Sequence, residues 1–147
     1  MTTFVLFGGT GDLAKRKIIP ALYSAFVNGR LDPEFSFIGA AREALSDDDF
    51  RNRVATSIET YAAKANGSKE QLAAFLNLVG YTKIDAKNPE DFEILKSRVN
   101  ADTSKAKLFY LAIGPDIFIP VVEQLSKHGL VEGNARVVVE QPLGRDA

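Results

Sequence analysis

The sequence contains no cysteine and a single histidine, His128. The lack of cysteine excludes disulfides, thiolate metal sites and cysteine nucleophiles, and it agrees with a reducing compartment. One histidine excludes a multi-histidine metal site. The net charge of −1 gives no basic footprint for nucleic acid or acidic membranes. The roughly 18 apolar residues that a membrane helix needs never occur in a row, and Met1-Thr2-Thr3 lacks the basic region of a signal peptide. We therefore expect a cytoplasmic protein without nucleic-acid, membrane or metal partners.

The 147 residues fit one domain of ordinary size. Short apolar runs alternate with amphipathic stretches along the whole chain. This alternation predicts an α/β fold: a doubly wound, mainly parallel, Rossmann-like sheet with helices on both faces. Pro20 should kink or split the first helix, and Ser46 should begin a later helix with a capping box. The strands are predicted at residues 4–7, 35–40, 81–84, 108–113 and 137–139, the last of them buried.

A glycine-rich turn follows the first predicted strand and opens the first helix. Read from Gly9, it fits the dinucleotide fingerprint G-x-G-x-x-A. Gly9 permits the tight turn, Gly11 lets the backbone approach a pyrophosphate, and Ala14 lets the helix pack close to the strand. Free amides at the start of the helix would then face the phosphates, with the positive end of the helix dipole behind them. The turn predicts dinucleotide binding; the alternative is a tight turn with packing glycines.

The end of the second strand indicates which dinucleotide is bound. NAD sites usually place Asp or Glu there to bond the ribose 2′-hydroxyl, but this sequence has Arg42. A guanidinium suits a 2′-phosphate because it is always charged and bonds through two nitrogens. Glu43 beside it would repel that phosphate, which leaves use of NAD open as well. A solvated surface arginine is the alternative interpretation of Arg42.

Four stretches occur in a fixed order along the chain: FGGTGDLAKRKIIPALY at 7–23, GAAR at 39–42 with LSDD at 45–48, LFYLA at 108–112, and ARVVVEQPLGRD at 135–146. Together they resemble the glucose-6-phosphate dehydrogenase family, specifically its N-terminal NADP-binding domain. The resemblance implies that residues 1–147 form a dinucleotide-binding domain and that the family's C-terminal substrate and dimerisation domain is absent from this chain. It also implies an oxidoreductase that converts glucose 6-phosphate to 6-phosphogluconolactone in the pentose phosphate pathway. Binding of glucose 6-phosphate and contacts between subunits would both depend mainly on the absent domain.

The resemblance also implies roles for individual residues. Lys17 would reach toward the sugar phosphate, as a flexible ammonium suits a dianion; on its own it would be interpreted as a solvated helix lysine. Gln141 replaces a family lysine that contacts both substrate and coenzyme, so it would weaken the site or mark different substrate handling. The implied NADP-binding set is Gly8, Gly9, Thr10, Gly11, Asp12, Leu13, Arg42, Ile113, Gly114, Pro115 and Gln141, and the implied substrate-binding set is Lys17 and Gln141.

No catalytic residue is expected within the chain. The family uses a histidine base in its second domain, whereas His128 ends a helix beside Gly129 and is explained as a helix-end group. The run from Asp47 to Asp49 likewise indicates a helix start and not a metal site. The isolated domain is therefore expected to be inactive.

Two alternatives remain open. A short-chain dehydrogenase would need a Tyr-x-x-x-Lys pair, and the nearest match, Tyr61 with Lys64, is one residue too short. A stand-alone NADP sensor or partner-binding domain without catalysis is the second alternative.

Overall fold

A computed structural model of the chain describes residues 2–99 and 106–139. Within these residues the strands and helices alternate as predicted. The strands are β1 Thr2–Phe7, β2 Ser36–Ala41, β3 Val79–Lys83, β4 Ala106–Leu111 and β5 Ala135–Val139. The helices are α1 Ile19–Val27, α2 Asp47–Tyr61, α3 Lys69–Leu76, α4 Pro89–Arg98 and α5 Pro115–Lys127, with a π-helical segment at Ala14–Ile18 and a short 3-10 turn at Ala63–Ala65.

All five strands pair in parallel in one sheet, in the order β3-β2-β1-β4-β5. The chain first builds outward from β1 to β3 and then returns across the sheet to place β4 beside β1. The direction of winding therefore reverses next to β1, where open α/β sheets bind ligands at the carboxyl ends of their strands. The predicted doubly wound, Rossmann-like fold is confirmed, with strand ends shifted by no more than two residues.

Two apolar clusters cover the two faces of the sheet. One packs α1, α2 and α3 against Leu6 and Phe37, and the other packs α4 and α5 against Val5 and Phe109. Alternate strand residues supply the two clusters because successive side chains point to opposite faces. Helices on both faces are thus also confirmed. No helix of the described residues is long and apolar enough to cross a membrane.

The prediction that the last strand is buried is wrong. Residues in β5 alternate between partly buried and exposed, and Val138 is 37% exposed. The apolar run at 137–139 suggested a strand covered on both faces. In the described part of the chain, β5 is instead the outermost strand on its side, so one face receives little cover.

The capping box predicted at Ser46 forms, and a second box begins α3. The Ser46 hydroxyl accepts a hydrogen bond from the Asp49 amide, and the Asp49 carboxylate accepts one from the Ser46 amide. Ser68 and Gln71 repeat this arrangement at the start of α3. Each box supplies acceptors for amides that the helix itself leaves unpaired. These two caps fix where α2 and α3 begin, and α2 carries residues that border the candidate site.

Candidate functional site

The turn after β1 joins three strand ends. The amides of Gly8 and Gly9 both donate to the carbonyl oxygen of Ala40 at the end of β2, at 2.8 and 3.1 Å. Gly8 has a φ of +82°, and a Cβ atom there would overlap the carbonyl oxygen of Ala112, just after β4. A side chain at Gly8 would therefore be both strained and obstructed. The sequence thus places glycine where the end of β1 has no room for a side chain between Ala40 and Ala112.

The same turn leaves other amides available to a ligand. Gly11 donates to the carbonyl of Gly8 at 2.9 Å, and Lys15 donates to the carbonyl of Gly11 at 3.0 Å. Among the described residues, no backbone acceptor pairs with the amides of Thr10, Asp12 or Leu13. The backbone is helical from Asp12 onward, so these amides lie at the positive end of a helix. Such a group of donors suits a phosphate.

The acidic side chain in this turn is already paired. Asp12 accepts the Arg16 Nε at 2.9 and 3.0 Å, one helical turn further on, and both side chains are exposed. Its negative charge is therefore balanced locally. This pairing reduces the repulsion that a bare carboxylate would exert on an anion at the turn.

A crevice of about 310 Å³ opens beside this turn at the carboxyl edge of the sheet. Its lining combines a mostly apolar floor with charged side chains at the mouth, as small-molecule sites usually do. The turn after β1, the end of β2, the loop after β3 and the start of α5 all contribute. The lining residues are Phe7, Gly8, Thr10, Arg42, Glu43, Ile84, Asp85, Ala86, Lys87, Ile113, Ile117 and Val121.

The structure brings part of the predicted binding set into this crevice. Gly8, Thr10, Arg42 and Ile113 line it, although they come from three separate stretches of the sequence. The other predicted residues that the structure describes lie next to these in the chain, without lining the crevice: Gly9, Gly11, Asp12, Leu13, Gly114 and Pro115.

Of the two residues predicted to contact substrate, the structure describes only Lys17. Lys17 lies exposed on the π-helical segment, away from the crevice lining. Gln141 lies outside the described residues.

Arg42 and Glu43 follow β2 and differ in their partners. Arg42 is exposed, and its side chain forms no hydrogen bond or ion pair with any residue that the structure describes. Glu43 is held by Arg53 of α2, whose Nη1 lies 3.0 Å from Oε1 while Nη2 contacts Oε2. The hydrogen bonds from Arg53 lower the pKa of Glu43, so the carboxylate stays ionised but paired. The repulsion expected from Glu43 is therefore offset by a neighbouring cation.

One wall of the crevice was missed by the sequence analysis. The loop after β3 contributes Ile84, Asp85, Ala86 and Lys87, and Lys87 adds a second cation to the crevice. Asp85 shapes this loop by accepting the Lys87 amide at 3.0 Å. The available signal was the position of these residues after a parallel strand, since the carboxyl ends of parallel strands share one edge.

The remaining ionisable candidates have structural partners. His128 ends α5, where its ring contacts the Gln124 carbonyl at 2.8 Å and a Glu93 carboxylate oxygen at 3.0 Å. This end of α5 lies at the amino edge of the sheet, opposite the crevice, because α5 begins at the carboxyl edge after β4 and runs back to the amino edge before β5. A helix-end role for His128 fits these contacts.

The three consecutive acids at the start of α2 have different partners. Asp47 accepts the Tyr81 amide at 2.7 Å, Asp48 pairs with Arg51, and Asp49 completes the capping box. Among the described residues no three potential ligands cluster as a metal site would require. These contacts agree with the predicted helix start.

Comparisons with known proteins point to one family. The model of the family described as "Glucose-6-phosphate dehydrogenase, NAD binding domain" matches residues 5–147. Glucose-6-phosphate 1-dehydrogenase of Rhizobium meliloti (strain 1021) is 36% identical over 143 residues, which cover 97% of this chain and 29% of that protein. The enzyme of Schizosaccharomyces pombe is 37% identical over 147 residues, with the same coverage of each chain.

Solved structures give the same result. Glucose-6-phosphate 1-dehydrogenase from Mycobacterium avium superimposes with a TM-score of 0.86 at 29% identity, covering 99% of this chain and 30% of that one. A glucose-6-phosphate dehydrogenase in complex with its substrate glucose-6-phosphate superimposes with a TM-score of 0.81 at 34% identity, covering 99% and 31%. The chain thus spans less than a third of the length of the relatives that it matches.

Proposed function

This chain belongs to the family of glucose-6-phosphate dehydrogenase NAD-binding domains, and from that membership and the crevice geometry we propose that it binds NADP as the coenzyme domain of such an enzyme. The observation that carries the choice of NADP is Arg42, an exposed cation without a described partner at the end of β2. A guanidinium in that place matches the charge and shape of a 2′-phosphate.

The donors at the turn fit the rest of a dinucleotide. The amides of Thr10, Asp12 and Leu13 would hold the pyrophosphate at the start of the helix. Ile113, with Gly114 and Pro115 after it, would lie along the nicotinamide ribose, because these residues follow β4 at the point where winding reverses. Bound NADP would supply the hydride acceptor, and this chain's own residues would hold and orient it.

The substrate side of the proposal rests on the relatives. We propose that residues 1–147 work with a separate substrate and dimerisation domain and that the whole enzyme oxidises glucose 6-phosphate to 6-phosphogluconolactone. Lys17 and Gln141 would face the sugar phosphate in that assembly. Glutamine at 141 can donate a hydrogen bond but adds no charge, so substrate binding would be weaker than with a lysine. The chain alone would bind coenzyme without catalysis.

Calorimetric titration of the chain with NADP and with NAD tests the coenzyme assignment. We expect tighter binding of NADP, and we expect Arg42→Gln to weaken NADP binding about tenfold while changing NAD binding less than about twofold. Arg30→Gln is the matched control: it removes the same charge just after α1, at the opposite edge of the sheet. Equal loss of affinity for both dinucleotides in Arg42→Gln, or no binding of either by the unaltered chain, contradicts the assignment.

A further inference from the structure

The end of β2 carries features of two kinds of dinucleotide site. Arg42 suits the 2′-phosphate of NADP, whereas a carboxylate such as Glu43 is what NAD sites place there to bond a 2′-hydroxyl. Both side chains belong to the crevice lining. An unpaired carboxylate beside Arg42 would repel a 2′-phosphate and weaken the preference for NADP. The preference therefore depends on what happens to the charge of Glu43.

Arg53 pairs with that charge from a different element. It projects from the second turn of α2 and contacts both carboxylate oxygens of Glu43 with two guanidinium nitrogens. The two side chains are 47% and 46% exposed, so the pair lies at the surface and a ligand at the crevice mouth can reach it. A two-nitrogen contact fixes the carboxylate geometrically as well as balancing its charge.

The backbone beneath the pair is also fixed. The Tyr81 hydroxyl donates to the carbonyls of Glu43 and Ala41. Burial raises the pKa of Tyr81 to about 12, so the hydroxyl keeps its proton and donates at any physiological pH. Glu43 is thus held from below by Tyr81 and at its carboxylate by Arg53.

We propose that Arg53 is a positioning residue that sets the coenzyme preference by holding the Glu43 carboxylate paired beside Arg42. This inference rests on the proposed function, because it concerns which dinucleotide the same crevice prefers. Without Arg53, Glu43 would present an unpaired negative charge to the 2′-phosphate. NADP binding would then weaken, while NAD, with a neutral 2′-hydroxyl, would lose little or gain a hydrogen-bond acceptor.

A direct contact between Arg53 and the phosphate is the competing explanation. Arg53 also borders a polar depression of about 400 Å³ together with Thr10 and Lys15, next to the proposed phosphate amides. The two explanations differ in one respect. If Arg53 acts through Glu43, making Glu43 neutral as well should reverse the effect of losing Arg53, whereas the loss of a direct contact should not be reversed.

A double-mutant cycle with Arg53→Gln and Glu43→Gln separates them. The measured quantity is the preference ratio, the Kd for NAD divided by the Kd for NADP, from titrations of the chain at low salt. We expect Arg53→Gln alone to lower the ratio about three- to tenfold, because it leaves an unpaired carboxylate beside the dianionic 2′-phosphate. We expect Glu43→Gln alone to raise the ratio, because Arg53 then adds an unpaired positive charge near the 2′-phosphate. In the double variant the ratio should return to that of the unaltered chain.

Two further variants make the test specific. Arg53→Lys keeps the positive charge, so its preference ratio should stay close to that of the unaltered chain. Arg30→Gln removes a distant charge and should leave the ratio unchanged. Raising the salt to about 1 M, where the Debye length is about 3 Å, should shrink the effect of Arg53→Gln. Circular dichroism checks that each variant keeps the fold.

The outcomes distinguish this inference from the proposed function. A double variant whose ratio stays as low as that of Arg53→Gln alone, or a ratio that does not respond to Arg53→Gln, overturns the role given to Arg53 but leaves the NADP assignment of Arg42 intact. If the unaltered chain binds neither dinucleotide, or binds both without dependence on Arg42, the proposed function fails and this inference fails with it.

Discussion

Gly8 meets two constraints at once, and Gly29 meets only one of them. Both residues have positive φ, +82° at Gly8 and +69° at Gly29. Among the residues that the structure describes, a Cβ atom at Gly29 would contact nothing within 4 Å, whereas at Gly8 it would overlap the carbonyl of Ala112. Comparing substitutions at the two glycines therefore separates two losses of stability, one from the strained backbone conformation and one from the lack of space between β1 and β4.

Alanine at these two positions should give unequal losses of stability. Gly29→Ala should lower the free energy of unfolding by about 1 kcal/mol, the cost of a left-handed conformation for a side chain. Gly8→Ala should cost about 2–4 kcal/mol because overpacking is added to that strain. Gly8→Ala should also weaken NADP binding, while Gly29→Ala should not. Urea unfolding and NADP titration measure both effects, and equal losses in the two variants would show that space at Gly8 does not matter.

Individual amides in the glycine-rich turn illustrate what the sequence could predict. The fingerprint located the turn that follows β1 near Gly9 and Gly11, and its use as a phosphate site stays a prediction. The fingerprint could not show that the amides of Gly8 and Gly9 donate to the carbonyl of Ala40. That partner lies on another strand, and its position follows from the pairing of β1 with β2. The amides left for a ligand, such as that of Thr10, follow only once those partners are known.

At the scale of elements, the helix after the turn depends on a residue from α2. In the π-helical segment Ile19 donates to the carbonyl of Ala14, so the next carbonyl, that of Lys15, would need an amide at position 20. Pro20 has no amide hydrogen. The Ser57 hydroxyl, which is 1% exposed, donates to the Lys15 carbonyl instead. The sequence predicted a kink at Pro20, but its form as a π-helical segment depends on Ser57, which the local sequence cannot reveal.

Removing the Ser57 hydroxyl should therefore destabilise the protein in a way that depends on Pro20. Ser57→Ala should cost about 1–3 kcal/mol because it leaves the Lys15 carbonyl without its donor. In a Pro20→Ala background the restored amide can take over, and the cost should fall by about 1 kcal/mol or more. Thr60→Ala is the control on the same helix, where an exposed hydroxyl bonds only its own helix, and it should cost less than about 0.5 kcal/mol. Urea unfolding measures all four variants; an additive result for Ser57 and Pro20 would contradict this account.

At the scale of the whole molecule, alternation of strands and helices was enough to predict the sheet and its helical faces. The order β3-β2-β1-β4-β5 follows from right-handed crossovers and the return to β1. The crevice was only half predicted, because Lys87 and Val121 reach it from elements whose local sequence carries no ligand motif. The exposure of β5 was also beyond the sequence, since an apolar run does not tell whether a strand is central or outermost.

The distribution of chemistry over the molecule leads to a final prediction about activity. The crevice supplies donors and cations for a coenzyme, but the chain's one histidine lies at the opposite edge of the sheet, bound to Gln124 and Glu93. Oxidation of a sugar hydroxyl needs a base placed beside the nicotinamide. We therefore expect the chain to bind NADP yet to give no reduction of NADP when glucose 6-phosphate is added.

The absorbance of reduced nicotinamide measures this directly, with a full-length glucose-6-phosphate dehydrogenase as positive control. Calorimetry on the same preparation should show bound NADP, so that an absent signal reflects absent chemistry and not a misfolded sample. Reduction that requires glucose 6-phosphate, rises in proportion to the chain and is lost in Arg42→Gln would show that a base is present within these 147 residues. In that case Asp85, the other carboxylate lining the crevice besides the paired Glu43, would be the first residue to replace.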